Sequence, residues 1–247
     1  MNISGNTILI TGGGSGIGRE LARRWHELGN TVLITGRSAA SLAETASGHA
    51  HIHPYVLDVS DPRAILDFAA KIVAEHPALN VLVNNAGIMP TEDLTRRRDL
   101  RDTEAVITTN LLGPIRMTDA LIDHLRRQDD AAIINVTSGL AFVPLPRAAT
   151  YSATKAALHS YTVSLRAVLE GEIEVIEIAP PAVRTELSPG QSAREDYMPL
   201  EEYIDETMAP FAAGTPGSEV LTQRVLFLRN AEIECRFDAA LAALSSL

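Results

Sequence analysis

The sequence is nearly without cysteine. Its one thiol, Cys235, cannot close an internal disulfide, so the fold is expected to rest on a hydrophobic core in a reducing compartment. Long apolar runs are missing too: 46% of the 247 residues are hydrophobic, yet no uninterrupted stretch approaches the roughly 18 residues of a bilayer span. The start, Met1 to Gly5, lacks a basic segment followed by an apolar core and a cleavage site. These absences predict a whole, cytoplasmic chain with no membrane partner. Positive charge is in deficit. With 21 Lys and Arg against 31 Asp and Glu the net charge is −10, and no basic tract is present, which argues against a general nucleic-acid binder that must neutralise phosphates. No repeat or low-complexity segment divides the chain, and residues 1–247 are expected to form one domain.

What is present is an alternation. Short β-branched runs at Thr7 to Thr11, Thr31 to Thr35, Ile52 to Leu57, Asn80 to Val83, Ala132 to Thr137 and Glu174 to Ile178 are separated by amphipathic stretches. That pattern predicts an α/β Rossmann fold, a doubly wound parallel sheet with helices on both faces. Gly16 to Leu28 reads as the first helix, Ser38 as the cap of the second, and Asp61-Pro62 as the opening of the third. A single long helix is expected from about Asp99 to Arg127, another from Thr150 to Glu170, a further one near Leu200 to Ala212, and a last strand near Glu219 to Gln223.

Thr11-Gly-Gly-Gly-Ser-Gly-Ile-Gly18 lies between the first strand and the first helix, the setting a phosphate-binding glycine turn requires. Gly12 allows the sharp turn, Gly16 lets backbone approach a pyrophosphate and Gly18 permits close helix packing. The helix then aims its unpaired amides and positive dipole end at the phosphates. The spacing resembles the short-chain dehydrogenase/reductase family, and the remaining family signatures stand in order: Asp58 after the third strand, Asn84-Asn85-Ala86-Gly87, Asn110, Ser138, Tyr151-x-x-x-Lys155, and Pro180-Pro181-Ala182-Val183-Arg184-Thr185. The resemblance runs from about residue 5 to 187. Three stretches, at Thr7, Ser138 and Ile178, are similar to family members named after D-alanine esterification of teichoic acid. It implies cofactor contacts from Gly12, Ser15, Gly16, Ile17, Gly18, Asp58, Val59, Asn85, Ala86, Gly87, Tyr151, Lys155, Pro181, Val183 and Thr185. It also implies that Asn110 holds a helix distortion and a water that relays protons from Lys155.

Family members selective for NAD usually carry an acid at the end of the second strand, where it accepts from the adenosine ribose hydroxyls. Here that place is Gly36, followed by Arg37 and Ser38, so a 2′-phosphate meets no repulsion and gains a charge-assisted contact. NADP(H) is therefore expected over NAD(H). Tyr151 and Lys155 are four apart on one helical face. The ammonium is expected to bring the phenol, ordinarily near pKa 10, toward physiological pH, so that Tyr151 exchanges a proton with a carbonyl or alcohol oxygen that Ser138 orients.

The expected activity is NADP(H)-dependent interconversion of a ketone or aldehyde with an alcohol, the cofactor carrying the hydride. A non-catalytic dinucleotide sensor of the same fold is the alternative, and an epimerase or dehydratase without net cofactor change is a third reading. Leu140, Phe142, Val143, Val183 and Leu187 are expected to wall the substrate pocket, with 182–215 as a lid. The substrate is a small carbonyl or alcohol compound. By resemblance the chain forms a homodimer or homotetramer through its two long helices, whose small residues include Ala153, Ala156, Ala157 and Ser164. His49, His51 and His53 alternate, but no acid or Cys joins them at ligand spacing and no metal is expected. Arg96, Arg97, Arg98 and Arg101 sit among Glu92, Asp93, Asp99 and Asp102, and read as a solvated, mixed-charge surface. No Asp-Gly-Gly follows the last strand, and an amphipathic tail, Phe237 to Leu244, takes its place.

Overall fold

The computed structural model describes residues 1–245. Seven parallel strands form one sheet in the order β3-β2-β1-β4-β5-β6-β7: β1 Thr7–Thr11, β2 Thr31–Gly36, β3 Ile52–Val56, β4 Leu79–Asn84, β5 Ala132–Val136, β6 Glu174–Ile178 and β7 Glu219–Val220. Every residue of β4 and β5 is buried, as both faces of a parallel sheet must be when helices cover them. Alternation then divides the core in two. Ile8 and Ile10 join Trp25, Leu42, Tyr203 and Phe211 on one face, and Leu9 joins Ile65, Phe68, Met117, Leu121 and Leu125 on the other. Pro54 stands in β3, which pairs only with β2, an edge where a missing N–H does no harm.

Helices α1 (Gly16–Glu27), α2 (Ala39–Ala46) and α3 (Pro62–Glu75) connect the first four strands. Ser38 caps α2 by accepting from Ser41 N, and Asp61 caps α3 by accepting from Arg63 N and Ala64 N, as their side chains predict. The expected helix from Asp99 to Arg127 is interrupted: α4 (Arg101–Ile107) and α5 (Gly113–Leu125) are joined through a π turn at Thr108–Leu112. After β5, α6 (Ala149–Val168) returns along the sheet. Then follow α7 (Leu200–Ala212), a short α8 (Leu226–Arg229) and α9 (Phe237–Ser245).

Two expectations change here. β7 is two residues long rather than five. The second half of the expected lid is core: α7 buries Tyr203, Ile204, Met208 and Phe211, with Phe211 edge-on to Trp25 at 5.5 Å, so only the irregular segment before α7 lies over the cleft. The C-terminal tail folds back on its own chain. Ala231 and Ala240 bury Val143, and Phe237, Leu241 and Leu244 pack around them.

Candidate functional site

The strand ends of β1, β2, β4 and β5 open into a cleft of about 540 Å³ that every residue expected to hold the cofactor lines, from Gly12 to Thr185. Its floor is the glycine turn. Gly12 has φ +71, and a Cβ there would sit 2.8 Å from Ala86 Cα, so only glycine closes the turn against the β4 loop. At Gly18 a Cβ would lie 2.3 Å from Gly12 O and 2.4 Å from Asn85 Nδ2. Asn85 draws the same two pieces together, donating from Nδ2 to Thr11 O at 2.9 Å and Gly12 O at 3.2 Å, while Thr11 Oγ1 accepts from Asn85 N and Ala86 N. Ser15, at the start of α1, makes no side-chain cap. The first-turn amides therefore face the cleft as free donors, the arrangement that receives a phosphate.

At the far rim Gly36 ends β2. A Cβ added there would meet only Leu42, at 3.5 Å. Arg37 and Ser38 are exposed beside it, and the Arg37 charge acts on Asp58 across the rim.

The opposite end holds the reactive side chains. Asn110, fully buried in the π turn, clamps the β4 loop: Oδ1 accepts from Ile88 N and Nδ2 donates to Ile88 O, both at 2.9 Å, with Thr154 Oγ1 of α6 at 3.5 Å. The extra residue of the π turn points this amide inward, the distortion the resemblance implied. Below it, Asn84 Nδ2 donates to Asn135 Oδ1 and Asn135 Nδ2 to Thr162 Oγ1, each at 2.9 Å. Ser138 follows β5, and its Oγ accepts from Leu140 N at 3.1 Å. Ser138 faces the Tyr151 phenol and acts on it electrostatically, and Lys155 Nζ donates to Val136 O at 2.7 Å and stands 5.6 Å from the Tyr151 ring centre.

Burial governs both groups. It pushes the Tyr151 phenol up to about 12, against the opposing pull of Ser138, and brings the Lys155 ammonium down to about 8, with Glu177 opposing. The expected acidification of Tyr151 by the ammonium is not what governs the phenol; desolvation is. At neutral pH Tyr151 carries its proton and is a donor.

Of the expected substrate wall, Val183 and Leu187 line the cleft, joined by Ile88 and Gln191. The other three are elsewhere. Val143 is fully buried under the tail, Leu140 packs beside Val106 and Leu145, and Phe142 lies edge-on to His159 at 4.9 Å with Arg229 over its ring at 4.7 Å. Apolar residues after Ser138 suggested a pocket wall; the tail that covers them is remote in sequence and left no local signal.

Two residues were passed over. Glu92 is no solvated charge: its side chain is 4% exposed, and it accepts from Thr150 N and Thr150 Oγ1 at 2.6 Å each, a carboxylate at the start of α6. Arg98 pairs with it at 2.5 Å, while Arg96–Asp93 and Arg101–Asp99 are the exposed surface pairs expected. Arg147 is half-buried, its Nε is enclosed without a partner, and it lines an 80 Å³ cavity with Arg194, Tyr197 and Gln191 and no acid. That cavity adjoins the cleft, divided from it where Ser188 Oγ donates to Met89 O at 2.7 Å. The alternating histidines divide: His49 and His51 both lie against His26, and His53 neighbours His76.

A family model described as short chain dehydrogenase matches residues 6–196. The chain is 42% identical over 242 residues to the uncharacterized oxidoreductase DltE of Bacillus subtilis (strain 168), covering 94% of this chain and 93% of that protein. It is 33% identical over 186 residues, 73% of this chain and 74% of the other, to sulfoacetaldehyde reductase 2 of Chromohalobacter salexigens. Among solved structures, a short chain dehydrogenase from Burkholderia cenocepacia J2315 in complex with NADP superposes with a TM-score of 0.84 at 26% identity over 99% of both chains.

The crowding at Gly18 is a test of the turn. Gly18→Ala should lower unfolding stability by about 1–3 kcal/mol, the usual cost of overpacking, read as a lower urea midpoint. An unchanged midpoint would mean that Asn85 yields freely.

Proposed function

Since the chain belongs to the short-chain dehydrogenase/reductase family of oxidoreductases, we propose that it uses NADPH to reduce a small aldehyde or ketone that carries an anionic group. The observation that carries this reading is the convergence of Ser138, a proton-bearing Tyr151 and Lys155 on the closed end of the cleft. The bound nicotinamide supplies the hydride. Ser138 Oγ holds the substrate carbonyl oxygen beside the Tyr151 hydroxyl, which gives that oxygen its proton as the alcohol forms. Lys155, an ammonium below about pH 8, then stands close enough to the phenol to help restore its proton. Asn110 keeps the β4 loop and α6 in register so that these groups meet.

Arg147 supports the anionic class: a guanidinium whose Nε has no partner among the described residues, beside a cavity lined by no carboxylate, favours a carboxylate or sulfonate. The sulfoacetaldehyde reductase among the relatives points the same way. Consumption of NADPH should be at least about 10²-fold slower in Tyr151→Phe, the lower end for losing a general acid. In Arg147→Leu the kcat/KM for succinic semialdehyde should fall by about ten- to a hundredfold, the worth of a charged hydrogen bond of roughly 1.5–3 kcal/mol, and that for butanal should hold. A sensor would bind NADPH and turn over neither aldehyde.

The cofactor preference rests on Gly36 and Arg37. Arg37→Ala should weaken NADPH binding by about ten- to a hundredfold and leave NADH unaffected. Gly36→Asp with Arg37→Ala should invert the preference, since the Asp has room against Leu42 and repels a 2′-phosphate. Equal wild-type affinity for the two cofactors, unmoved by Arg37→Ala, would remove the claim.

Self-association belongs to the same reading. The outer face of α6 leaves Ala153, Ala156, Val163 and Val168 exposed, and Ile107 of α4 is exposed as well; small and apolar residues there let helices of two copies approach. Light scattering should give a dimer or tetramer at micromolar concentration, and a monomer would count against it.

A further inference from the structure

Beneath the catalytic helix lies a charged cluster that the proposed reaction does not use. Glu177 of β6 is fully buried. Its carboxylate accepts from Thr137 Oγ1 at 2.6 Å and meets His159 Nδ1 at 2.8 and 3.0 Å. Tyr151, Lys155 and His159 follow at four-residue spacing on one face of α6, so the carboxylate and the buried ammonium share one layer between sheet and helix, and the Glu177 charge acts on Lys155. His159 is the member that reaches solvent, with 27% of its side chain exposed, and Phe142 covers its ring. On the neighbouring strand, Glu219 of β7 stands in register with Glu177, and Arg229 of α8 binds it through Nη2 and Nε at 3.1–3.3 Å.

A metal is the obvious occupant to consider, because ligand atoms of His159, Glu177 and Glu219 lie within 4.8 Å of one another. Arg229 already supplies a fixed positive charge to Glu219, and the His159 ring turns its Nδ1 to Glu177 as a hydrogen-bond donor. The cluster is internally paired. What remains unbalanced is Lys155, an ammonium removed from water whose one hydrogen bond is to a neutral carbonyl.

We propose that Glu177 is a positioning residue for Lys155: it is the buried counter-charge that keeps the ammonium charged where little water reaches it, and His159 sets how much of that negative charge Lys155 feels. The hydrogen bond from His159 to Glu177 favours the imidazolium, which offsets the carboxylate. While His159 keeps its second proton, its charge offsets Glu177 and Lys155 gives up its own proton more readily; a neutral side chain at 159 leaves Glu177 acting on Lys155 undiminished. The two protonations oppose each other, because both cations draw on one carboxylate. The catalytic meaning of this rests on the function proposed above; the electrostatics do not.

The chain offers an unusually direct test, because it contains only two lysines, Lys71 and Lys155. Full-length protein labelled with ¹³C at lysine Cε therefore gives two signals, with the exposed Lys71 as internal reference, and needs no substrate. Glu177→Gln should lower the Lys155 midpoint by about one pH unit, and His159→Gln should raise it by about half a unit, with Lys71 unmoved. Opposite shifts are the signature, since a packing role would destabilise both variants and leave the midpoint in place. If Glu177→Gln yields no folded protein, His159→Gln decides alone, its side chain being partly in solvent. Shifts of one sign in both variants, or a Lys155 midpoint that stays put in folded His159→Gln, would overturn the proposal. Absence of turnover with every aldehyde, alongside opposite shifts, would count against the proposed function and not against Glu177.

Discussion

Placing an ammonium almost out of reach of water is the constraint from which the rest of this structure follows. Lys155 is 4% exposed, and a bare charge in such a place costs far more than its one hydrogen bond returns. The surrounding fold answers with a carbonyl at the end of β5, a carboxylate one strand over and a histidine one turn along α6. That α6 can present Tyr151 and Lys155 to the cleft at all depends on its N-terminal end, where Glu92 receives Thr150 N from a loop otherwise on the surface. Sheet, loop and helix are thus fastened around one charge.

Much of this was legible in the sequence, for reasons that are local. Strand after strand could be placed because a parallel sheet buried on both faces demands continuous β-branched runs, and the ends of β1 and β6 fall where Thr11 and Ile178 put them. The caps at Ser38 and Asp61 follow from side chains that reach only their own next turn. The residues expected to hold the cofactor line one cleft, because glycine spacing reports backbone approach directly.

The parts that were not legible are those set by contacts remote in sequence. Amphipathic spacing runs unbroken through 99–127, so the pattern of the residues alone gives one helix; the distortion at Asn110 came only from the resemblance, and the π turn at Thr108–Leu112 gives it its form. Val143 looked like a pocket wall because nothing near it says that the last helix covers it, and Phe142 because nothing near it says that His159 and Arg229 enclose its ring. Glu92, in a run of mixed charge, looked like solvated surface, whereas its partner lies 58 positions away at Thr150. Arg147 belongs to no pattern, and only the enclosure of its Nε sets it apart.

The π turn carries one more implication. A helix that holds one residue more than its hydrogen-bond ladder requires has stored an insertion, and each residue turns the chain by about 100°. Removing a single residue from 108–112 would let α4 and α5 fuse into one regular helix and would swing the position of Asn110 about a quarter turn from Ile88. The chain on either side could keep its buried face and its fold, and yet the β4 loop would lose its clamp. This stretch is therefore a place where length as well as residue type is under constraint.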